Sequence, residues 1–230
     1  MYLNSSWLLL MIVSTVIGLV TQGYVNSTYR RWSRVSLVSG QNGAQVARRI
    51  LDSDGLGDVE IGQIPGNLTD NYDPRVKKLN LSQGVYQGAS VASAGVAAHE
   101  AGHALQDHHG YAFGRIRGAL VPVAQFGSRA SWVLILVGLV LGVATTLGNG
   151  LLWLGIAFYA AAVLFQLVTL PVEFNASHRA LAQLETVGGL PSDQVAGARA
   201  VLTAAALTYV AAALIAALQL LYLIGLGRRN

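Results

Sequence analysis

The sequence predicts a mainly α-helical membrane protein, with four transmembrane helices and a small α+β section between the first two. Three observations predict this. Hydrophobic residues make up 53% of the 230 residues and charged residues only 11%, against about 25% charged in an average soluble domain. Four apolar runs approach or reach the roughly 17–25 residues that a spanning helix needs. Between the first and second runs lies a polar stretch with alternating, strand-like segments and one helical segment that carries His99-Glu100-Ala101-Gly102-His103.

The first run, Trp7 to Gly23, sits at the lower limit of span length. A signal peptide is the competing reading, but no basic segment precedes the run, and Arg30, Arg31 and Arg34 follow it. Residues 1–28 are therefore expected to be an uncleaved anchor. In the section from 29 to 130, Gly43 to Asp54 carries helical apolar spacing at Ala44, Ala47, Ile50 and Leu51, and Gly55 stops it. Asp58 to Ile64 alternates and reads as a strand, Pro65-Gly66-Asn67 as a turn, and Leu68 to Pro74 as a loop. Arg75 to Ser82 alternates again, and its lysines suit an edge strand. Such an edge could take an extended peptide by backbone hydrogen bonds, or could be an ordinary solvated edge. Residues 85–106 are expected to form the motif helix.

Ser131 to Leu147 and Leu151 to Leu170 read as two spans joined by a tight turn at Gly148-Asn149-Gly150, a transmembrane hairpin over 131–170. The segment 171–198 is expected to continue as a helix to about Val187, end at Gly188-Gly189, and restart at Ser192. The fourth span falls in 199–230. Its small residues, Ala204-Ala205-Ala206 and Ala211-Ala212-Ala213, allow close helix packing.

Orientation follows from the basic residues. Arg30, Arg31, Arg34, Arg48, Arg49, Arg75, Lys77, Lys78, Arg115, Arg117 and Arg129 lie between the first and second spans, and Arg179 and Arg199 follow the third. Arg228 and Arg229 fall on the other side. The excess predicts a cytoplasmic polar section with both termini outside. The same distribution explains the net charge of +4 without a basic stripe for nucleic acid, so the expected partners are the bilayer and a protein or peptide.

His99 and His103 stand at i and i+4, so on a helix both imidazoles face one way and can share a metal ion. Glu100 beside them is placed to take a proton from a water polarised by that metal. An H-E-x-x-H pattern arises by chance in about one chain of this length in a hundred. With no Cys in the chain, a zinc ion here, one per chain, must be held by His and carboxylate, the ligand set of catalytic rather than structural sites. His109 has the spacing of a third His in H-E-x-x-H-x-x-G-x-x-H, but that pattern needs Gly where this chain has Gln106. Glu173 is the better third ligand. It follows the third span, which returns it to the side of His103, and a charge at the end of an apolar span needs a partner. The alternative is an interfacial charge favoured by a helix start. Asn175, Ser177 and His178 could orient ligands or donate protons, and Tyr72, Lys78 and Asn80 could contact substrate.

Ile64 to Pro74 (IPGNLTDNYDP), Leu81 to Tyr86 (LSQGVY), Val96 to Gln106 (VAAHEAGHALQ), Leu164 to Phe174 (LFQLVTLPVEF) and Ala205 to Leu214 resemble the YugP-type bacterial neutral zinc metallopeptidases. More remotely they resemble the HtpX and CAAX-prenyl membrane proteases. The resemblance implies a multi-pass protein of the bacterial cell membrane with a zincin-like section, in which His99, His103 and Glu173 hold Zn²⁺ and Glu100 is catalytic. Three positions depart from the family pattern: Asn71 for His, Asn175 for Asp, and His178 for Arg. These bear on rate and substrate preference more than on metal binding. A metal-stabilised membrane scaffold without proteolytic activity is the alternative function, which the intact Glu100 argues against. A transporter is disfavoured, because the spans carry almost no ionisable residues.

Overall fold

The structure is a computed structural model and describes residues 5–228; Arg229 of the orientation argument lies outside the described residues. Its elements are α1 (Ser5–Trp32), α2 (Gly43–Ser53), β1 (Glu60–Ile64), β2 (Asn71–Asp73), β3 (Lys78–Ser82), α3 (Gln83–Tyr86), α4 (Val91–His108), α5 (Ala112–Leu141), α6 (Thr146–Thr186) and α7 (Ser192–Arg228). α1, α5, α6 and α7 are each long and apolar enough to cross a membrane. The chain divides into two compact units, Met1–Thr21 with Arg115–Pro171 and Thr208–Asn230, and Gln22–Gly114 with Val172–Leu207.

The first unit is built from apolar helix segments that meet through small residues. The turn between α5 and α6 comes earlier than expected. Gly142, at φ +87°, ends α5, a conformation glycine adopts without steric cost. The Thr145 hydroxyl then accepts from the Gly148 amide at 3.0 Å and starts α6. Gly148 therefore belongs to the helix, and its role is proximity: a Cβ there would meet the Gly142 carbonyl at 2.3 Å. Gly138 and Gly155 are equally constrained, by the backbone of Gly148 and Leu152 and by Ile135 and the Ser131 carbonyl. With lipid as apolar as leucine, such close approach is what holds helices together. Ile135, Leu152, Ile156, Tyr159, Val163 and Leu223 fill the interior, and the Tyr159 hydroxyl donates to Gln219 Oε1.

The second unit is organised around α4, whose Ala- and Gly-rich sequence lets neighbours pack on nearly every side. Thirteen of its 18 residues are buried, so the helix is core rather than amphipathic surface. α2 packs against it through Val46, Ala47, Ile50 and Leu51, and is started by a reciprocal capping box in which Asn42 and Gln45 satisfy each other's amides. The expected helix over 85–106 is divided. α3 ends at Tyr86, and Ser90 begins α4 by accepting from the Ser93 amide at 3.2 Å.

The sheet corrects the expected strand arrangement. Its order is β1-β3-β2, so the strand read as an edge, within Arg75 to Ser82, is central. β1 pairs with it in parallel and β2, from the segment expected to be a loop, antiparallel. Backbone groups of β3 are engaged on both sides and do not receive a peptide. The lysine signal misled because Lys78 lies directly opposite Glu60 and is neutralised there, Nζ to Oε1 2.7 Å. Leu79 and Leu81 of β3 are fully buried.

Candidate metal centre

The site arises where α4 meets the segment of α6 that begins at Val172. Gly102, an unassigned position of the motif, makes this contact possible: a Cβ there would lie 2.6 Å from the Ala176 carbonyl. Glycine lets the backbones approach so closely that the side chains on both sides of Gly102 reach Glu173. Ala176 and Ala180 continue the seam and are completely buried.

His99 and His103 present their Nε2 atoms to one carboxylate oxygen, Glu173 Oε2, at 3.1 and 3.6 Å. The rings stand edge to face with centroids 4.8 Å apart. Glu173 is 2% exposed. One ligand atom from each of the three residues lies within 4.8 Å of the others. With zinc bonds of about 2.0–2.1 Å, ligand atoms of a tetrahedral site are separated by about 3.3 Å, and the observed pair distances bracket that value. Two imidazoles and a carboxylate are also the donor chemistry of a catalytic zinc, so these residues fit the ion.

Electrostatics point the same way. Burial raises the pKa of Glu100, an effect that the charges of His103 and His99 oppose but do not overcome. Burial disfavours the His103 imidazolium, yet the Glu173 and Glu100 carboxylates outweigh it and hold the ring above its ordinary pKa. Without a metal ion the cluster therefore favours an extra positive charge, here a proton.

The nitrogens turned away from Glu173 are also engaged. Ser177 Oγ lies 3.2 Å from His99 Nδ1; one helical turn beyond Glu173, it shares that residue's face of α6. Asn175 hydrogen-bonds to residues other than the two histidines. Its Oδ1 accepts from Gln106 Nε2 at 3.0 Å and from Arg179 Nε at 2.8 Å. Gln106 in turn faces His103, Oε1 to Nδ1 3.0 Å. Gln106 and Arg179 are the residues beside the cluster to which the sequence gives no site role. In the sequence Gln106 stands where a third-histidine pattern needs glycine and closes the family-like stretch Val96 to Gln106, and three residues after His103 is a position on the same helix face. His178 is exposed. The Tyr72 hydroxyl donates to Asp107 Oδ2 at 3.0 Å, tying β2 to α4. Lys78 and Asn80 bond within the sheet, to Glu60 and Asn71.

Among the described residues a second group, Asp54, His108 and His109, has metal-like spacing. His109 is thus outside the cluster of His99. Arg179 Nη1 donates to His109 Nδ1 at 2.9 Å, which in the neutral ring leaves the proton on Nε2, 3.1 Å from Asp54 Oδ2. That ring has no lone pair left for an ion.

Among the described residues, four membrane-length helices and a cluster in which two histidines of an H-E-x-x-H helix meet the buried Glu173 of α6 define the class, a membrane protein with a candidate hydrolytic metal centre. The chain belongs to the family described as "Putative neutral zinc metallopeptidase", whose model matches residues 7–228, and the family implies zinc. It is 45% identical over 197 residues to the "Putative membrane protease YugP" of Bacillus subtilis (strain 168), covering 86% of this chain and 85% of the relative. No solved structure matches the chain.

Proposed function

We propose that this protein is a zinc metalloendopeptidase of the bacterial cell membrane whose zincin-like section faces the cytoplasm and hydrolyses peptide bonds in membrane-associated or misfolded proteins. The observation that carries the reading is the convergence of His99 Nε2, His103 Nε2 and Glu173 Oε2, with the buried Glu100 next to them in sequence and within range of their charges. His99, His103 and Glu173 would hold the zinc ion, which would supply Lewis acidity to the attacking water and the scissile carbonyl. Glu100 takes the proton of the attacking water and carries it to the leaving amine. Ser177 orients His99.

Detergent-purified protein should contain one zinc per chain by elemental analysis and cleave an unstructured protein such as casein. A zinc chelator should bring cleavage to background, and stoichiometric zinc should restore it. Absence of metal from the wild-type chain, even after loading, would sink the proposal. Orientation is tested separately. Because the chain has no Cys, a single cysteine at the exposed loop position Asn67 reports without background. A membrane-impermeant maleimide is expected to label it in inside-out vesicles and not in intact cells; the reverse result would turn the assignment around.

A further inference from the structure

We propose that Gln106 is the positioning residue that fixes the proton of His103 on Nδ1, so that Nε2 keeps its lone pair for the metal, and that Asn175 and Arg179 hold Gln106 in the orientation this requires. The inference rests on the reading of His103 as a ligand and goes beyond it.

The direction of every bond in this chain follows from Arg179. A guanidinium only donates, so the atom of Asn175 facing Arg179 Nε at 2.8 Å is its oxygen. That same oxygen lies 3.0 Å from Gln106, whose facing atom must therefore be the amide nitrogen. The Val172 carbonyl, 2.7 Å from the same nitrogen, makes the identical demand independently. Gln106 is 3% exposed and has no alternative orientation without placing its oxygen against two acceptors. Its Oε1 is thus the atom 3.0 Å from His103 Nδ1. A carbonyl oxygen only accepts, so Nδ1 carries a proton. In the neutral ring Nε2 then bears a lone pair directed at the Glu173 side. A histidine protonated on the wrong nitrogen cannot ligate, which is why the partner of the other nitrogen governs the ligand.

His99 lacks this control. Its Nδ1 partner is the Ser177 hydroxyl, which can donate or accept and so leaves the tautomer open. Gln106 also bonds the carbonyl of Val172, the residue before Glu173, so one amide sets the tautomer of one ligand and anchors the backbone beside another. The chain continues outward: Arg179 also donates to His109, which faces Asp54 at the end of α2.

The test uses full-length protein in detergent with two readouts. Zinc affinity is measured by competition with a fluorescent chelator. The protonation state of the His103 ring is read from ¹⁵N shifts of histidine-labelled, metal-free protein at alkaline pH, in a chain with five histidines. Gln106→Met, similar in length but without an acceptor, should weaken zinc binding about 10–100-fold and give a mixed His103 tautomer. Asn175→Leu should do the same in weaker form, whereas Asn175→Asp keeps an oxygen for both donors and should hold affinity within about threefold of wild type. Wild-type zinc affinity in Gln106→Met, or a wild-type His103 protonated on Nε2, would overturn the proposal. If Gln106→Met does not fold, the Asn175 pair decides: equal affinities for Asp and Leu would overturn it. Failure of wild-type protein to bind zinc would count against the peptidase reading, and the ¹⁵N measurement would still decide the Gln106 assignment.

Discussion

Glu100→Gln is expected to leave about one zinc per chain and to lower kcat/KM for casein or a peptide about 10²–10⁴-fold, equivalent to about 3–5 kcal/mol of transition-state stabilisation. The substitution is isosteric and removes only the ability to accept and return a proton. It also relieves the fold, because Glu100 is 8% exposed and burial already disfavours its charge. Metal content and melting temperature should therefore stay level or rise while turnover collapses. A scaffold that merely uses the metal for stability would show no functional consequence. Parallel loss of zinc and activity would instead assign Glu100 to metal binding.

The second large effect is expected at Glu173. Glu173→Ala removes the one oxygen that both Nε2 atoms share and leaves two imidazoles, so zinc affinity should fall by more than about 100-fold, beyond what loss of an orienting group alone produces. The isosteric Glu173→Gln should behave similarly, which separates the ligand effect from the cavity that alanine leaves beside Gly102. His109→Ala is the matched control. His109 is bonded to Arg179 and near Asp54, outside the cluster, and its removal should leave one zinc per chain. Elemental analysis of the three variants beside wild type decides the ligand set. Zinc lost in His109→Ala and retained in both Glu173 variants would place the site on α4 alone.

Features carried by neighbouring residues were legible in the chain. The i, i+4 spacing of His99 and His103 specifies one helix face before any fold is known. Glu173 was legible for a different reason, since a lone carboxylate at the end of an apolar span must find a cation. Helix α2 was found within one residue, because its apolar period and the stop at Gly55 agree. The edge strand was misread for lack of non-local information: lysines on a strand look solvated until Glu60, 18 residues earlier, is known to lie across from one of them. The turn at Gly142 was missed for a similar reason. Gly148 and Gly150 read as turn residues in the sequence, but a Cβ at Gly148 would collide with neighbouring backbone.

By itself the sequence determined the membrane-length helices and the H-E-x-x-H helix, and made Glu173 the better candidate for a third ligand, because hydropathy, helical period and the cost of an unpaired charge are local or compositional quantities. Tertiary structure alone decided the strand order, the backbone contact at Gly102 and the assignment of Gln106, Asn175 and Arg179 to one hydrogen-bonded chain. These depend on which groups meet between segments apart in sequence; in the hydrogen-bonded chain, 66 to 70 residues separate Gln106 and His109 from their partners on α6. An amide has no preferred direction until its partners are in place.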